Sequence, residues 1–531
     1  MKRCIALLLS MLTALCVLSA CNSPTPPPSE DTTLAESADT QAEVTPQAPI
    51  EQTTQPIPTI PPEQATAPEQ VVQSLDANAV IMQIGTSTCQ VLLHGNTWEE
   101  IQAAFTAAGY APEQATLPRD TRLQTVVLYG KDVTLTLQNT QEGAYAIWEP
   151  YLPDTLSLLL PNDKTGTGAV TLAQIGIARE EEDDNPLNGM CYVYKLSDGS
   201  ALIIDGGFNT KSCRDNVLGT LKTLDIAKNA DGKYRITAWI FSHGHKDHRA
   251  TFIGFGKHYG EQVELQYVMY NFPVSPGTLT ASTFDLVNFE TKWKEYYPGA
   301  QHVVAHAGLA YHFDNLTIEV LYSPEMLYAP DQSIVYYNDT SLILRADCNG
   351  TRTLFMGDAG EKAATLTWSN AEKGAFAADM LQITHHGFNT GESSHNWKHI
   401  KQIYNATGAT LALLPMTSRL EGDARNGRYT VIVGHGGANY QMSFFINKRD
   451  KQDYSSVTQE AYMEFVEQVA AGTNKYPTLF GYDGINTITS AEGLVTYIAG
   501  NETSPMVTLF RLDANGATVT HNATLAEWLE N

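Results

Sequence analysis

Seven consecutive residues concentrate the reactive side chains of this chain. Ser242, His243, Gly244, His245, Lys246, Asp247 and His248 place three imidazoles and a carboxylate at the end of an apolar run, Tyr234 to Phe241, that reads as a buried strand. In extended backbone alternate side chains point the same way, so His243 and His245 can face one point while Asp247 and His248 turn to a second. Imidazole nitrogen and carboxylate oxygen are donors that borderline divalent cations accept, and two neighbouring metal ions are the natural occupants. Such cations activate water near neutral pH and offset negative charge on a reacting centre, which is the chemistry of hydrolysis.

Other segments fall into order around this cluster. Upstream, Ser200 to Gly207 is a β-type run ending in Asp205. Downstream come Asn338-Asp339-Thr340-Ser341, then Thr353 to Gly360 with Asp358 in a tight turn, then Asp379 to Gly387 with the pair His385-His386. His243 to His248 resembles the His-x-His-x-Asp-His signature of the metallo-β-lactamase superfamily, and the flanking segments resemble its further motifs over roughly Thr171 to Leu414. The Asn-x-x-Ser, Gly-Asp and His-His-Gly order is most similar to the hydrolase domain of the DNA-uptake competence channel and to cell-wall phosphorylcholine esterases.

The resemblance implies an α/β fold, an αββα sandwich, and a dinuclear metal-dependent hydrolase. It implies zinc, with manganese or iron as alternatives. His243 and His245 would hold one ion, Asp247, His248 and His386 the other, with Asp358 bridging and Asp205 supporting the ligands from behind. Either histidine of the 385–386 pair could be the last ligand; His386 is preferred, with His385 facing the substrate. Asp247 and His385 are the expected catalytic residues, moving a proton toward the leaving group. Two departures stand out. Small residues often follow the signature in the family, whereas Arg249-Ala250-Thr251-Phe252 follow it here. The family's third-motif histidine has no clear counterpart; His302, His306 and His312 are candidates, and His306 is taken as the ligand.

These residues need rigid elements to carry them. Strands are expected over Met190 to Lys195, Ala201 to Asp205, Tyr234 to Ser242, Gln262 to Tyr270, Leu316 to Tyr322, Ser341 to Asp347, Thr351 to Gly357, Met380 to Thr384, Thr410 to Pro415 and Met506 to Leu512. Helices are expected over Lys211 to Leu224, Arg249 to His258, Thr283 to Tyr297, Gly360 to Ala371, Asn396 to Asn405 and Thr458 to Ala471. This alternation reads as a layered hydrolase domain over residues 166–531. Residues 76–165 read as a small α+β domain, with a helix over Thr97 to Ala108 among short strands.

The N-terminus reads as an export signal. Residues 1–21 run from Met1-Lys2-Arg3 through an apolar stretch to Leu18-Ser19-Ala20-Cys21, which resembles a bacterial lipobox with Cys21 as the lipidated residue. Residues 22–75 are rich in Pro, Thr, Gln and Glu and read as a disordered tether. The expected location is the outer face of the bacterial cytoplasmic membrane, held there by the lipid. The four cysteines beyond residue 21 form no CxxC, which argues against a cysteine zinc site. The formal charge is −25, of which residues 1–70, with eight acids and two bases, account for little, so the folded part is acidic and no nucleic-acid partner is expected. The expected substrate is a small-molecule or cell-wall ester, a phosphoester or phosphodiester. Lactonase, β-lactamase or extracellular nuclease activity, and a non-catalytic metal-containing binding lipoprotein, are the alternatives.

Overall fold

The computed structural model describes residues 65–160, 168–176, 189–273, 285–327, 336–387, 398–417, 431–436, 439–444, 481–482, 486–489, 494–500 and 505–530. Cys21, the signal segment, most of the expected tether and the helix expected over Thr458 to Ala471 lie outside these residues. The chain divides into two units, Met1–Pro56 and Ile57–Asn531, and all that follows concerns the second.

Two large sheets stack face to face. One has eight strands, in the order Gln301–Val304, Val263–Tyr270, Tyr234–Ile240, Ala201–Asp205, Cys191–Lys195, Val170–Ile175, Met506–Asp513 and Gly516–Thr524. The other has nine described strands, with Leu316–Tyr322, Ile343–Cys348, Thr351–Phe355, Met380–Gln382 and Leu411–Thr417 adjacent in that order. Alternation along each strand sorts the side chains into two layers. Tyr192, Leu202, Ile204, Ala238 and Ile240 meet Ile318, Leu344, Phe355, Met380 and Leu413 between the sheets. Val193, Ile203, Trp239 and Phe241 instead meet Val217, Phe252, Phe255 and Phe289 of helices Lys211–Thr223, Lys246–Tyr259 and Leu286–Tyr296. On the far side, Met356, Leu381 and Leu414 pack against Ala363, Ile400 and Tyr404 of helices Glu361–Asn370 and Lys398–Thr407. The layering is the expected αββα sandwich. Ile236 breaks the parity, siding with Trp239 rather than Ala238, because the register shifts between Ile236 and Ala238.

The strand directions decide where chemistry can sit. Tyr234–Ile240 runs parallel to both Ala201–Asp205 and Val263–Tyr270. In the opposite sheet Thr351–Phe355, Met380–Gln382 and Leu411–Thr417 are also parallel. Their carboxyl ends therefore open onto loops on one edge, where ligands bind in open α/β sheets.

Ahead of the sandwich stands a six-stranded antiparallel sheet covered by helices Pro68–Leu75 and Trp98–Ala107. Thr97 caps the second with a reciprocal capping box to Glu100. The first helix lies in the stretch expected to be tether. Pro68 preset at its start and Val71 and Val72 buried against Phe105 and Trp148 outweigh its polar composition. The sheet's other face, through Leu92, Tyr145 and Ile147, belongs to the same core as the sandwich helices.

Most expected boundaries hold within a few residues. Strands Val170–Ile175, Gln301–Val304, Ala310–Phe313 and Gly516–Thr524 were not foreseen; the last alternates exposed and half-buried residues, with no apolar run to mark it. The helix expected to begin at Arg249 begins at Lys246, with His245 at its N-cap and Asp247 in its first turn, where a carboxylate suits the dipole.

Trp239 joins these layers, its ring 4.9 Å from Phe252 and 5.5 Å from Phe255 and its indole N–H donating to the Asp205 carbonyl at 2.8 Å. Trp239→Ala should destabilise the protein by about 3–5 kcal/mol in denaturant unfolding; a loss below about 1 kcal/mol would contradict this packing.

Candidate metal centre

The parallel strand ends bring together residues scattered over the sequence. Asp205 ends its strand with a left-handed backbone, φ 56°, fully buried. Its Oδ1 accepts the Ser242 backbone N–H at 2.8 Å, and its Oδ2 accepts the Ser242 hydroxyl at 2.8 Å and His248 Nδ1–H at 2.9 Å. With its proton on Nδ1, His248 directs Nε2 inward, the usual device for orienting a histidine ligand. His386 is set the same way, Nδ1–H donating to the Pro415 carbonyl at 2.7 Å. Asp358 is reached by the turn at Gly357, whose φ is 52° and where a Cβ would lie 2.9 Å from the Ser242 side chain and 3.0 Å from that of Ser341. Glycine is thus required where the two sheet edges meet. The Asp358 backbone N–H donates to Ser341 Oγ at 3.1 Å, and Leu342 N–H to the Ser242 carbonyl at 2.8 Å, tying the edges together.

Two donor groups result, one of Asp247, His248, Asp358 and His386, the other of His243, His245 and Asp358. Asp358 belongs to both. His248 Nε2 lies 3.1 Å from Asp358 Oδ2 and 3.9 Å from Asp247 Oδ2; His386 Nε2 lies 3.4 Å from Asp247 Oδ2 and 3.5 Å from Asp358 Oδ1. Several of these are too long for good hydrogen bonds. Tetrahedral ligands at ~2.0–2.2 Å from a zinc ion stand about 3.4 Å apart, so the spacing fits atoms arranged around a cation. In the second group His243 Nε2 is 2.9 Å from His245 Nδ1 and 3.7 Å from Asp358 Oδ2. The nitrogen and oxygen donor set, buried and shared through one carboxylate, fits a pair of borderline divalent cations.

Charge in the protein alone is balanced by protons. Burial disfavours a charged His248, but Asp358, Asp205 and Asp247 outweigh it and hold its pKa well above the ordinary imidazole range. His386 is likewise opposed by burial and raised by the neighbouring Asp358 and Asp247 carboxylates, to about 9. Burial and the neighbouring His248 keep His243 well below the usual range and therefore neutral.

His385 is not in either donor group. Its Nε2 accepts from Asn338 Nδ2 at 3.1 Å. His385 and His386 both have left-handed backbone, φ 50° and 52°, a strain of about 1–3 kcal/mol each that persists only where the surroundings impose it. The restraints are bonds from His385 N–H to the Gly357 carbonyl at 3.0 Å, Thr384 N–H to the Tyr404 hydroxyl at 2.8 Å, and Thr384 Oγ1 to the Ala359 carbonyl at 2.8 Å. The turn thereby sends His386 inward and His385 to a different partner.

The expectation for His306 is corrected. Its Nδ1 lies 2.9 Å from Glu325 Oε2 and its Nε2 3.2 Å from Glu149 Oε1, away from both donor groups. With a carboxylate on each ring nitrogen it is an imidazolium; Glu149 and Glu325 overcome burial and raise it to about 10. The other two candidates are also occupied elsewhere. His302 stacks on Tyr270 with centroids 3.9 Å apart, and His312 bonds Thr317 and Thr116.

Sequence reasoning missed Tyr337, which packs its ring 4.9 Å from His245 and 6.1 Å from His243. Its place next to Asn338 was the available signal. Arg249, read only as a departure from pattern, is half-buried, donates Nε–H to the Gly244 carbonyl at 2.6 Å and lies 5.6 Å above the Phe289 ring.

The raised values of His386 and His306 set a pH dependence. A group raised above its unfolded value of ~6.5 contributes stability that is complete below that pH and is lost as pH rises through the folded value. Metal-free protein should therefore melt at progressively lower temperature as pH rises through about 9 and about 10. A melting temperature constant across that range would contradict the charged assignments.

No protein-family model matches the chain, and no curated protein matches it. Solved structures do. The metallo-β-lactamase fold protein YhfI from Bacillus subtilis is 16% identical, with 47% of this chain and 86% of that one covered and a TM-score of 0.29. Zinc-bound PqqB from Methylobacterium extorquens is 10% identical, covering 40% of this chain and 72% of that one, TM-score 0.26. The short form of human tRNase Z is 14% identical, covering 48% of this chain and 94% of that one, TM-score 0.27. At such scores the chemistry of the centre follows from its own geometry and not from these likenesses.

Proposed function

We propose that this protein is an exported, lipid-anchored hydrolase that uses a dinuclear metal centre, with zinc as the cation, to cleave phosphoester or phosphodiester bonds at the cell envelope. The observation that carries the proposal is the pair of buried donor groups sharing Asp358. His243, His245 and Asp358 would hold one ion, and Asp247, His248, His386 and Asp358 the other. When bound, such cations supply Lewis acidity that makes water nucleophilic near neutral pH and offsets charge on the reacting centre.

The chain's own residues supply the remainder. Asp205 and the Pro415 carbonyl fix the tautomers of His248 and His386. Asn338 Nδ2 donates to His385 Nε2, which places the proton of the neutral ring on Nδ1, the nitrogen that would donate to a leaving group. Asp247, in the first turn of its helix, is with His245 one of two partly exposed donors and can pass a proton outward. Arg249, held on the carbonyl between His243 and His245, adds fixed positive charge beside the donors and favours an anionic ester. The order Asn338, Asp358, His385-His386 supports a phosphoester over a lactam, and the lipobox-like Cys21 supports an envelope location.

The test is hydrolysis of bis(p-nitrophenyl) phosphate, phosphorylcholine esters, lactones and β-lactams by the purified protein before and after chelation. Phosphodiester turnover that chelation abolishes and zinc restores is expected. Asp247→Ala should lower both bound metal and turnover by about a hundredfold, as loss of a group acting directly in the site does. Bound metal with no turnover of any ester would overturn the enzymatic reading in favour of ligand capture; turnover confined to lactones or lactams would overturn the substrate class.

A further inference from the structure

A cavity of about 350 Å³ lies away from the metal centre, between the N-terminal six-stranded sheet and the sandwich. Its volume falls at the lower end of the roughly 300–1,000 Å³ typical of small-molecule sites. Leu156, Trp293 and Tyr311 give it apolar walls, and Glu149 and His306 stand among its polar lining.

The charges around it do not cancel. His306 presents one positive charge to two carboxylates, Glu149 and Glu325. Glu325 is fully engaged, accepting from His306 at 2.9 Å, from the Ala307 backbone at 2.8 Å, from Asn271 at 3.0 Å and from Gln138. Glu149 is not: Oε1 faces His306, but Oε2 is buried with no hydrogen-bond partner among the described residues. The nearby Lys294 does not supply the missing charge, because it is committed to Glu290 at 3.0 Å. His302, whose pKa burial lowers, is neutral and donates to the Tyr270 carbonyl at 3.3 Å. A buried carboxylate oxygen left without a donor is costly, and in a cavity with apolar walls its complement is a donor carried on an apolar body.

We infer that this cavity is a second binding site, distinct from the metal centre, for a small organic ammonium ion whose N–H groups bond the Glu149 carboxylate, which lines the cavity and is partly exposed, while its hydrocarbon part lies against Leu156, Trp293 and Tyr311. The imidazolium of His306 and the carboxylates of Glu149 and Glu325 together leave one negative charge for such a cation to neutralise. A carboxylate ligand would meet the unpaired oxygen with repulsion.

Calorimetric titration of the metal-loaded protein with butylammonium, hexylammonium and benzylammonium, alongside the matched alcohols and carboxylates, tests this. Saturable binding of the ammonium ions at one site per chain is expected, with alcohols and carboxylates weaker by roughly tenfold or more. Glu149→Gln should lower ammonium affinity by roughly tenfold or more. Leu156→Trp, which fills the space and leaves the carboxylate in place, should abolish binding without altering bound metal; it decides the matter if Glu149→Gln does not fold. Absence of ammonium binding, equal binding of carboxylates or alcohols, or binding indifferent to both substitutions would overturn the site.

Discussion

Asp205 lies at the centre of this structure's chemistry. It is fully buried at the end of a strand, in a backbone conformation that side chains other than glycine rarely adopt, and both oxygens are used. One positions the backbone at the start of the His243 to His248 segment; the other fixes the His248 ring. Burial raises its pKa above the usual carboxylate range, and His248 with the Ser242 bonds offsets only part of that rise. A buried carboxylate of this kind is tolerable only while its partners stay in place. The parallel strand Tyr234–Ile240 on one side, the antiparallel strand Cys191–Lys195 on the other, and Trp239 bonded to its carbonyl are what keep them there.

From that constraint the rest follows outward. His248 turned inward needs a counter-charge, which Asp358 supplies from the other sheet. Asp358 can approach only because Gly357 has no side chain to strike Ser242 and Ser341. His386 completes the ring through a strained turn braced by Gly357, Ala359 and Tyr404. His248 thus depends on Asp205, Asp358 on Ser341 and His386 on the Pro415 carbonyl, and metal-free protein meets the accumulated negative charge by protonating His248 and His386.

The strand ends and their donors were legible because their signals are local: an apolar run, then closely spaced histidines, or a turn with a single aspartate. Asp205 and Asp358 took their meaning from order along the chain. His306 could not be read this way. Its partners Glu149 and Glu325 lie 157 and 19 residues distant, and only the fold shows that two carboxylates saturate its ring. The start of the helix at Lys246 was hidden because histidine and aspartate are weak helix formers, and the capping position of His245 appears only with the backbone in hand. Pro68–Leu75 was obscured by polar composition, although two adjacent valines suffice to seat it. The N-terminal sheet, unreadable as chemistry, shares its core with the sandwich helices and walls one side of a charged cavity.

The central proposal is that each of the two donor groups would hold a cation, with Asp358 contributing to both. Anomalous diffraction at the zinc edge from crystals of the zinc-loaded protein tests it most directly. Two peaks are predicted, one among His243, His245 and Asp358 and the other among Asp247, His248, His386 and Asp358. A single peak would contradict the shared centre, and the absence of any peak within these residues would contradict the account as a whole.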